Sequence, residues 1–216
     1  RLRSRGLSIV EMLVGIAIGL FVVAGATLVA TGQLADNRLL MLETQLQQDL
    51  RATADLVARE LRRGGLWGNA ADSVWPGSTT PPAANPYSAA ASGVGTGGRT
   101  EVRYSYSNAT STSPENDSED ASERYGFARN ASTGAVEMLI GASGWQALSD
   151  VEVINITSFD VDIQPNEVVV PCPKYCDAAG GTACWPRLTV RDASISIDAQ
   201  ARHDTNVKRS IRSNVR

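Results

Sequence analysis

The chain has 216 residues, with 20 Lys and Arg against 23 Asp and Glu and a formal net charge of -3 at pH 7. This balance argues against a nucleic-acid partner bound through overall positive charge. One His and three Cys exclude a conventional His-rich zinc site, and they require any Ser/His/Asp triad to use His203. The aromatic content of 6% argues against stacking platforms for sugars or bases. We therefore predict a chain that is not an enzyme and that binds no cofactor or metal.

The first predicted element is a membrane-spanning helix over residues 7–34. Its only ionisable side chain is Glu11, and Arg1, Arg3 and Arg5 precede it. Residues 12–34 as a helix rise roughly 34 Å, enough for a hydrocarbon core of about 30 Å. The arginines place residues 1–6 in the cytoplasm and the chain after residue 34 across the membrane. A secretory signal peptide is disfavoured, because its apolar core is usually about 7 to 15 residues long.

Glu11 needs an explanation, because a carboxylate within a membrane segment costs on the order of 2 to 3 kcal/mol, and less near the edge. One interpretation is that Glu11 has a partner in the membrane. The other is that it extends to the cytoplasmic headgroups beside the arginines. The placement of charge alone leaves both open.

The string R-G-L-S-I-V-E-M-L-V contains Gly6, Leu7 and, five residues after the glycine, Glu11. It resembles the class III signal of type IV prepilins and type II secretion pseudopilins. The resemblance implies that a prepilin peptidase cleaves between Gly6 and Leu7, removes the basic leader 1–6 and methylates the new amino terminus. It also implies that Glu11 pairs with the terminal amine of a neighbouring subunit in a filament. Leu7 stands where Phe is commonest, and the span lacks the proline of many major pilins.

The helix is predicted to continue as an amphipathic half over residues 35–63. Its apolar positions recur at helical spacing: Leu39, Leu42, Leu46, Leu50, Val57 and Leu61. Arg62 and Arg63 suit the carboxyl end of a helix, and the glycines at 64 and 65 stop it. A single apolar stripe followed by glycine favours docking onto the chain's own sheet over a coiled coil. Residues 60–68, E-L-R-R-G-G-L-W-G, also resemble the PilW and J-type pseudopilin branch.

Residues 64–99 are predicted to form a long loop. They contain Pro76, Pro81, Pro82 and Pro86 among small and polar residues. We favour a tolerated surface insertion over a dedicated contact surface, because loops accept insertions at low cost.

Residues 100–216 are predicted to be a β-rich periplasmic domain. Alternating or apolar runs give strands at residues 101–107, 125–129, 136–140, 151–156, 158–163, 167–170 and 188–199, with a turn at 130–134. The fold class is therefore α+β, with a long N-terminal helix packed on a mostly antiparallel sheet. The resemblance implies a pilin-like fold, and residues 144–153 and 209–216 are similar to PilW-type minor pilins.

An acidic run lies between two of the predicted strands, and it comprises Glu115, Asp117, Glu119, Asp120 and Glu123. Its oxygens are possible calcium ligands, but the EF-hand pattern is absent. A solvated turn is the favoured interpretation.

Cys172, Cys176 and Cys184 are spaced C-x3-C-x7-C on the predicted periplasmic side. The oxidising periplasm favours a disulfide over zinc. We predict a bridge from Cys172 to Cys184 that leaves Cys176, while a Cys172–Cys176 or Cys176–Cys184 bridge remains open. The resemblance adds that pilin-like domains often carry a disulfide near the C-terminus.

The predicted function is that of a minor pilin of PilW type in type IV pilus assembly, near the filament tip. The expected partners are other minor and major pilins, the prepilin peptidase, the inner-membrane assembly platform and, before assembly, membrane lipid. The alternative within this class is a J-type minor pseudopilin of type II secretion. The alternative from another class is a membrane-anchored periplasmic receptor or enzyme, which would need a polar constellation around His203.

Overall fold

The computed structural model describes residues 8–73, 83–95, 99–171 and 187–216. Within these residues the chain forms one α-helix, three short 3-10 helices and eight strands. The helix is α1 (Ile9–Leu61), and the strands are β1 (Ala90–Val94), β2 (Thr100–Ser105), β3 (Arg124–Asn130), β4 (Ala135–Ile140), β5 (Trp145–Ala147), β6 (Ile154–Val169), β7 (Arg187–Ala201) and β8 (Lys208–Val215). The helix packs on antiparallel strands, which confirms the α+β class. The chain divides into two compact units, Arg1–Thr44 and Gln45–Arg216.

The helix ends two residues earlier than predicted, and glycine ends it as expected. The N–H of Gly64 donates to the carbonyl of Leu61 at 3.1 Å. Gly65 has φ +85°, the left-handed conformation that glycine adopts without strain. Its N–H donates to the carbonyl of Ser105 at 2.8 Å. This bond ties the exit from the helix to the end of β2.

The face of α1 that packs on the strands begins at Leu46. The buried positions recur three, four or seven residues apart, as one face of a helix requires: Leu46, Leu50, Thr53, Ala54, Val57, Ala58 and Glu60. The predicted stripe began earlier, at Leu39, which is 41% exposed. Leu39 belongs to the first compact unit. Helical spacing alone therefore placed the start of the buried face wrongly.

The first sheet has five antiparallel strands in the order β1-β2-β3-β4-β5, so that each strand pairs with its neighbours in sequence. The predicted turn between β3 and β4 is confirmed: Gly134 has φ +74°, and its N–H donates to the carbonyl of Asn130 at 2.9 Å. A meander of this kind places consecutive strands side by side.

The second sheet has three antiparallel strands in the order β6-β7-β8. Three strands that we predicted separately, at 151–156, 158–163 and 167–170, are mainly the single strand β6, while residues 151–153 form a turn. The register shifts between Ile156 and Ser158, which is a bulge and not a break. Pro165 lies inside β6, and an edge strand accepts it because one of its sides has no ladder bonds to lose.

Sequence reasoning missed β1, β5 and β8. Strand β1 lies inside the predicted loop 64–99 and reads A-A-S-G-V, without alternation. It is held by pairing with β2 from Ala90 opposite Tyr104 to Val94 opposite Thr100. Because β1 is held by its partner strand and carries no alternating pattern of its own, its composition gives no signal.

One core joins the helix face to both sheets. Strand β7 contributes the regular alternation that the sequence predicted: Ala193, Ile195, Ile197, Ala199 and Ala201 are all buried. The largest fully buried side chains on other elements include Phe127, Ile154, Ile156 and Leu50. Each such side chain contributes roughly 1.5 to 3 kcal/mol by leaving water.

Candidate assembly helix and polar hub

The first half of α1 presents an apolar surface on every side. All of residues 8–41 are exposed, including Ile9 at 80% and Phe21 at 82%. Among the described residues, α1 is the one helix that is long and apolar enough to cross a membrane. A continuous apolar surface of this extent marks a membrane or protein contact. The helix is therefore compatible with a single-pass membrane anchor.

Two polar side chains of this apolar segment, Thr27 and Thr31, are bonded to their own helix. Thr27 Oγ1 donates to the carbonyl of Val23 at 2.8 Å, and Thr31 Oγ1 donates to the carbonyl of Leu28 at 3.0 Å. Because lipid offers no hydrogen-bond partners, a spanning segment has to satisfy such groups internally. The two threonines meet this requirement.

Glu11 lies in the first turn of α1, where the exposed backbone N–H groups favour a negative charge. Its Oε2 accepts a long hydrogen bond of 3.4 Å from the N–H of Ser8. Gly6 and Leu7, the predicted cleavage site, lie outside the described residues, so their proximity to Glu11 stays a prediction. The position of Glu11 leaves a carboxylate at the amino end of an exposed apolar helix.

Four glycines of this segment, Gly15, Gly19, Gly25 and Gly32, lie on an open surface. A Cβ added at any of them meets nothing within 4 Å. Nothing within the described chain therefore requires glycine at these positions. Small residues let a second helix approach closely, so they are compatible with helix packing between subunits.

In the second unit, the acidic run folds back onto the segment that follows α1. Asp117 Oδ1 accepts hydrogen bonds from Trp67 Nε1 at 2.8 Å and from Asn69 Nδ2 at 2.9 Å. Glu115 Oε2 accepts one from the N–H of Gly68 at 3.2 Å. The acidic run therefore joins two segments that are about fifty residues apart in the sequence, and we call this arrangement a clamp. The solvated turn favoured from the sequence does not account for these bonds.

Tyr87 is the buried centre of this clamp, which we call the Tyr87 hub. Its hydroxyl lies 2.9 Å from Glu115 Oε1 and 3.0 Å from Glu123 Oε2. Because a hydroxyl has one hydrogen, it donates to one carboxylate at a time. Burial, together with hydrogen bonds to the two carboxylates, raises the pKa of Tyr87. Sequence reasoning missed this residue because it lies in the predicted loop.

The Glu115 carboxylate of the hub accepts further hydrogen bonds from the fold. Burial opposes the charge of Glu115, but hydrogen bonds from Ser107, Tyr87 and the N–H groups of Asp117 and Gly68 outweigh it and lower the pKa of this carboxyl. Within residues 8–73, 83–95, 99–171 and 187–216, no group of three or more His, Cys, Asp or Glu side chains is arranged to hold a metal ion. The oxygens considered for calcium accept hydrogen bonds from the protein itself.

A row of aromatic rings lies under the end of α1, and the sequence analysis did not single it out. The rings of Tyr106 and Tyr125 stack at 4.1 Å with an interplanar angle of 2°. The guanidinium of Arg63 lies 4.2 Å from the centre of the Tyr106 ring. Tyr104 and Phe127 extend the row, with their ring centres 6.1 Å apart. The alternation of aromatics along two neighbouring predicted strands was the available signal.

The structure does not test the predicted disulfide, and it describes His203 alone among the other residues considered for a site. Cys172, Cys176 and Cys184 lie outside the described residues, so the disulfide and its connectivity stay predictions. His203 is exposed in the connection between β7 and β8. The neighbouring carboxylate of Asp204 accepts a hydrogen bond from the N–H of Asn206 at 3.0 Å, which stabilises that turn.

Comparison with known proteins gives one family. Residues 39–216 match the sequence profile described as prepilin peptidase-dependent protein B. No curated protein and no solved structure matches the chain. The matched range excludes Gly6, Leu7 and Glu11, so the prepilin-like signal and the family match rest on different residues. Because the match covers more than half of the chain, the protein belongs to the prepilin peptidase-dependent protein B family.

Proposed function

We propose that this chain is a minor pilin subunit of PilW type that takes part in type IV pilus assembly, in an initiating or tip-located complex. Family membership supports a pilin-like role in pilus or secretion assembly. The observation that carries the proposal is the exposed apolar surface of residues 8–34 with the carboxylate of Glu11 at its start. Lipid covers this surface before assembly, and other apolar helices cover it afterwards.

The proposed role of Glu11 follows from electrostatics in a medium of low dielectric constant. A carboxylate there is costly without an opposite charge beside it. In the proposed filament, the methylated amine of Leu7 on a neighbouring subunit supplies that charge. The subunit first resides in the inner membrane with residues after 34 in the periplasm, and the prepilin peptidase and the assembly platform act on it there.

The proposal assigns no catalytic role to the chain. The acids of the Tyr87 hub are engaged by donors of the fold, and His203 lies in an exposed connection. The expected partners are other minor and major pilins. Nothing in the proposed role requires a nucleic acid or a cofactor.

A J-type minor pseudopilin of type II secretion is the second candidate. Residues 60–68 keep this candidate open, because the string E-L-R-R-G-G-L-W-G resembles both branches and does not separate them. Co-purification from the native membrane distinguishes the two functions. Pilus minor pilins in the eluate support the first function, and secretion-system pseudopilins support the second.

The test replaces Glu11 by Gln in a strain that lacks other copies of the gene. Glu11→Gln removes the charge at nearly constant shape, so we expect normal membrane levels and a folded second unit but few or no pili. Asp36→Asn is the matched control, because it removes a carboxylate from an exposed position of the same helix. Normal piliation by Glu11→Gln, or equal loss in both variants, contradicts the proposed role.

A further inference from the structure

A cleft of about 250 Å³ lies between α1 and the connection from β5 to β6. The helix contributes Asp49 and Leu56 to its lining, and the connection contributes Leu148 and Asp150. The charged residues of the described lining are the two aspartates, one from each element. Their nearest charged neighbours in the sequence, Arg51 and Glu152, do not line the cleft. Two like charges therefore share one cleft with no cation among its described residues.

The position of Asp49 is set by the packing of α1. In the sequence it lies between Leu46 and Leu50, which are 1% and 2% exposed and hold this part of the helix on the core. Asp49 itself is half-buried at the border of the packed face. Its side chain forms no ion pair with any residue of the described ranges. The carboxylate thus loses part of its hydration without gaining an opposite charge.

The position of Asp150 is set by hydrogen bonds of the connection. Its carbonyl accepts a hydrogen bond from the N–H of Ile154 at 2.9 Å, and its Oδ1 accepts one from the N–H of Glu152 at 2.9 Å. The preceding residue, Ser149, is tied to β4, because its Oγ accepts a hydrogen bond from the N–H of Val136 at 3.0 Å. Asp150 therefore cannot withdraw from the cleft without breaking bonds that hold the connection.

The cleft favours the protonated form of Asp49. Burial, reinforced by the negative charge of Asp150, raises the pKa of Asp49 above its ordinary value of 3.8. The folded chain therefore keeps this proton at pH values at which the unfolded chain has already lost it. The stability that follows is fully present below pH 3.8 and is lost as the pH rises through the raised pKa.

We propose that this cleft is an acid-strengthened contact, in which the carboxylates of Asp49 and Asp150 oppose the packing of α1 on the connection at neutral pH. Uptake of one proton by the pair ends the repulsion, while the apolar contacts of Leu56 and Leu148 remain. The contact lies at the start of the buried helix face, so it controls how firmly the first packed turns of α1 are held. This inference does not depend on the role of Glu11 in assembly.

The first experiment follows thermal unfolding of the full chain in a non-ionic detergent by tryptophan fluorescence. The pH is varied between 4 and 7 at constant ionic strength. Asp49→Asn removes the charge at nearly constant shape and is expected to raise the Tm by about 1 to 3 °C at pH 7. The gain should fall by at least about half at pH 4, because the wild-type carboxyl is partly protonated there. No gain at pH 7, or the same gain at both pH values, overturns the proposal.

Asp55→Asn is the matched control for the loss of one negative charge from α1. Asp55 lies at an exposed position of the same helix and does not line the cleft. This variant should leave the Tm unchanged at both pH values. A gain equal to that of Asp49→Asn would assign the effect to the net charge of the helix and overturn the proposal.

A double-mutant cycle then tests whether the two carboxylates act on each other. Asp150→Asn keeps an oxygen that accepts from the N–H of Glu152, so it should also raise the Tm at pH 7. The double variant, Asp49→Asn with Asp150→Asn, should gain less than the sum of the two single changes, because either one removes the repulsion. Additive gains would show two independent carboxylates and overturn the proposal.

Asp150→Lys reverses the charge opposite Asp49. At pH 7 it should raise the Tm more than Asp150→Asn does, because it replaces a repulsion by an attraction. This advantage should vanish toward pH 4 as Asp49 takes up its proton. A Tm at pH 7 no higher than that of Asp150→Asn contradicts the proposed opposition of the two charges.

Discussion

The two halves of α1 contain the same kinds of apolar side chain with opposite burial. Leu13 is 62% exposed, while Leu50 is 2% exposed. The second half alternates polar and apolar residues, so that one face packs on the strands and the other meets water. The first half is apolar on every side and offers no face to water. Helical periodicity therefore identifies the buried face of a helix only where apolar residues occupy one face and polar residues the other.

The two compact units also differ in the sequence distance over which their polar side chains form hydrogen bonds. In the first unit, Thr27 and Thr31 bond to carbonyls of their own helix. In the second, Trp67 reaches Asp117 across fifty residues of sequence. The two threonines are therefore satisfied within their own helix, as a lipid environment would require, whereas the Trp67–Asp117 bond depends on long-range closure of the chain.

The largest expected difference in stability comes from truncating one leucine in each half of α1. Leu50→Ala should lower the free energy of unfolding of the second unit by about 2 to 5 kcal/mol, because it leaves a cavity in the core. Leu13→Ala should leave that free energy unchanged. Denaturant unfolding followed by tryptophan fluorescence measures both. Equal effects of the two changes would remove the distinction between the halves.

Reduction of the predicted disulfide should act on the second unit alone. A bridge among Cys172, Cys176 and Cys184 should contribute roughly 2 to 4 kcal/mol, in part by restricting the unfolded chain. Calorimetry with and without reductant measures the loss, and peptide mapping identifies the bonded pair. An unchanged transition in reductant, or three free thiols on mapping, would sink this prediction.

Two glycine substitutions sharpen the comparison further. A Cβ on Gly126 would lie 2.6 Å from the carbonyl oxygen of Val102, so Gly126→Ala should destabilise the second unit by about 1 to 3 kcal/mol. A Cβ on Gly19 meets nothing within 4 Å, so Gly19→Ala should cost no stability in the isolated chain. The same unfolding assay compares the two variants. Comparable destabilisation by both would show that Gly19 is packed within the chain.

The smallest effect is expected from acid. The pKa of Glu115 is lowered below its ordinary value of 4.5 in the folded chain, so the unfolded chain takes up this proton first as pH falls. Ionised Glu115 therefore stabilises the folded chain above pH 4.5, and this stabilisation is lost as the pH falls below that value. It amounts to less than about 1 kcal/mol, because the carboxylate is partly exposed. Glu115→Gln should flatten the fall of stability in that window, and Glu152→Gln, an exposed control, should not. Parallel curves for wild type and Glu115→Gln would contradict this.

The class of the fold followed from local patterns, and the parts that sequence reasoning missed depend on residues outside the segment itself. The alternation of β7 and the glycine stop after α1 are properties of short segments, so both were predictable. Strand β1 exists through its pairing with β2, and Tyr87 is buried by carboxylates some thirty residues away. Glu11 was predictable as a residue that needs a partner. The partner itself belongs to another molecule, which no pattern within one chain displays.

The most direct test of the proposed assembly role is the mass of the mature amino terminus. The protein is extracted from membranes of cells with an active prepilin peptidase and analysed by intact-mass and peptide mass spectrometry, with peptidase-deficient cells as the control. The account predicts a chain that begins at N-methylated Leu7, and an unprocessed chain in the control. A chain that keeps Arg1 to Gly6 in peptidase-positive cells, or one cleaved beyond Ala30, would contradict it.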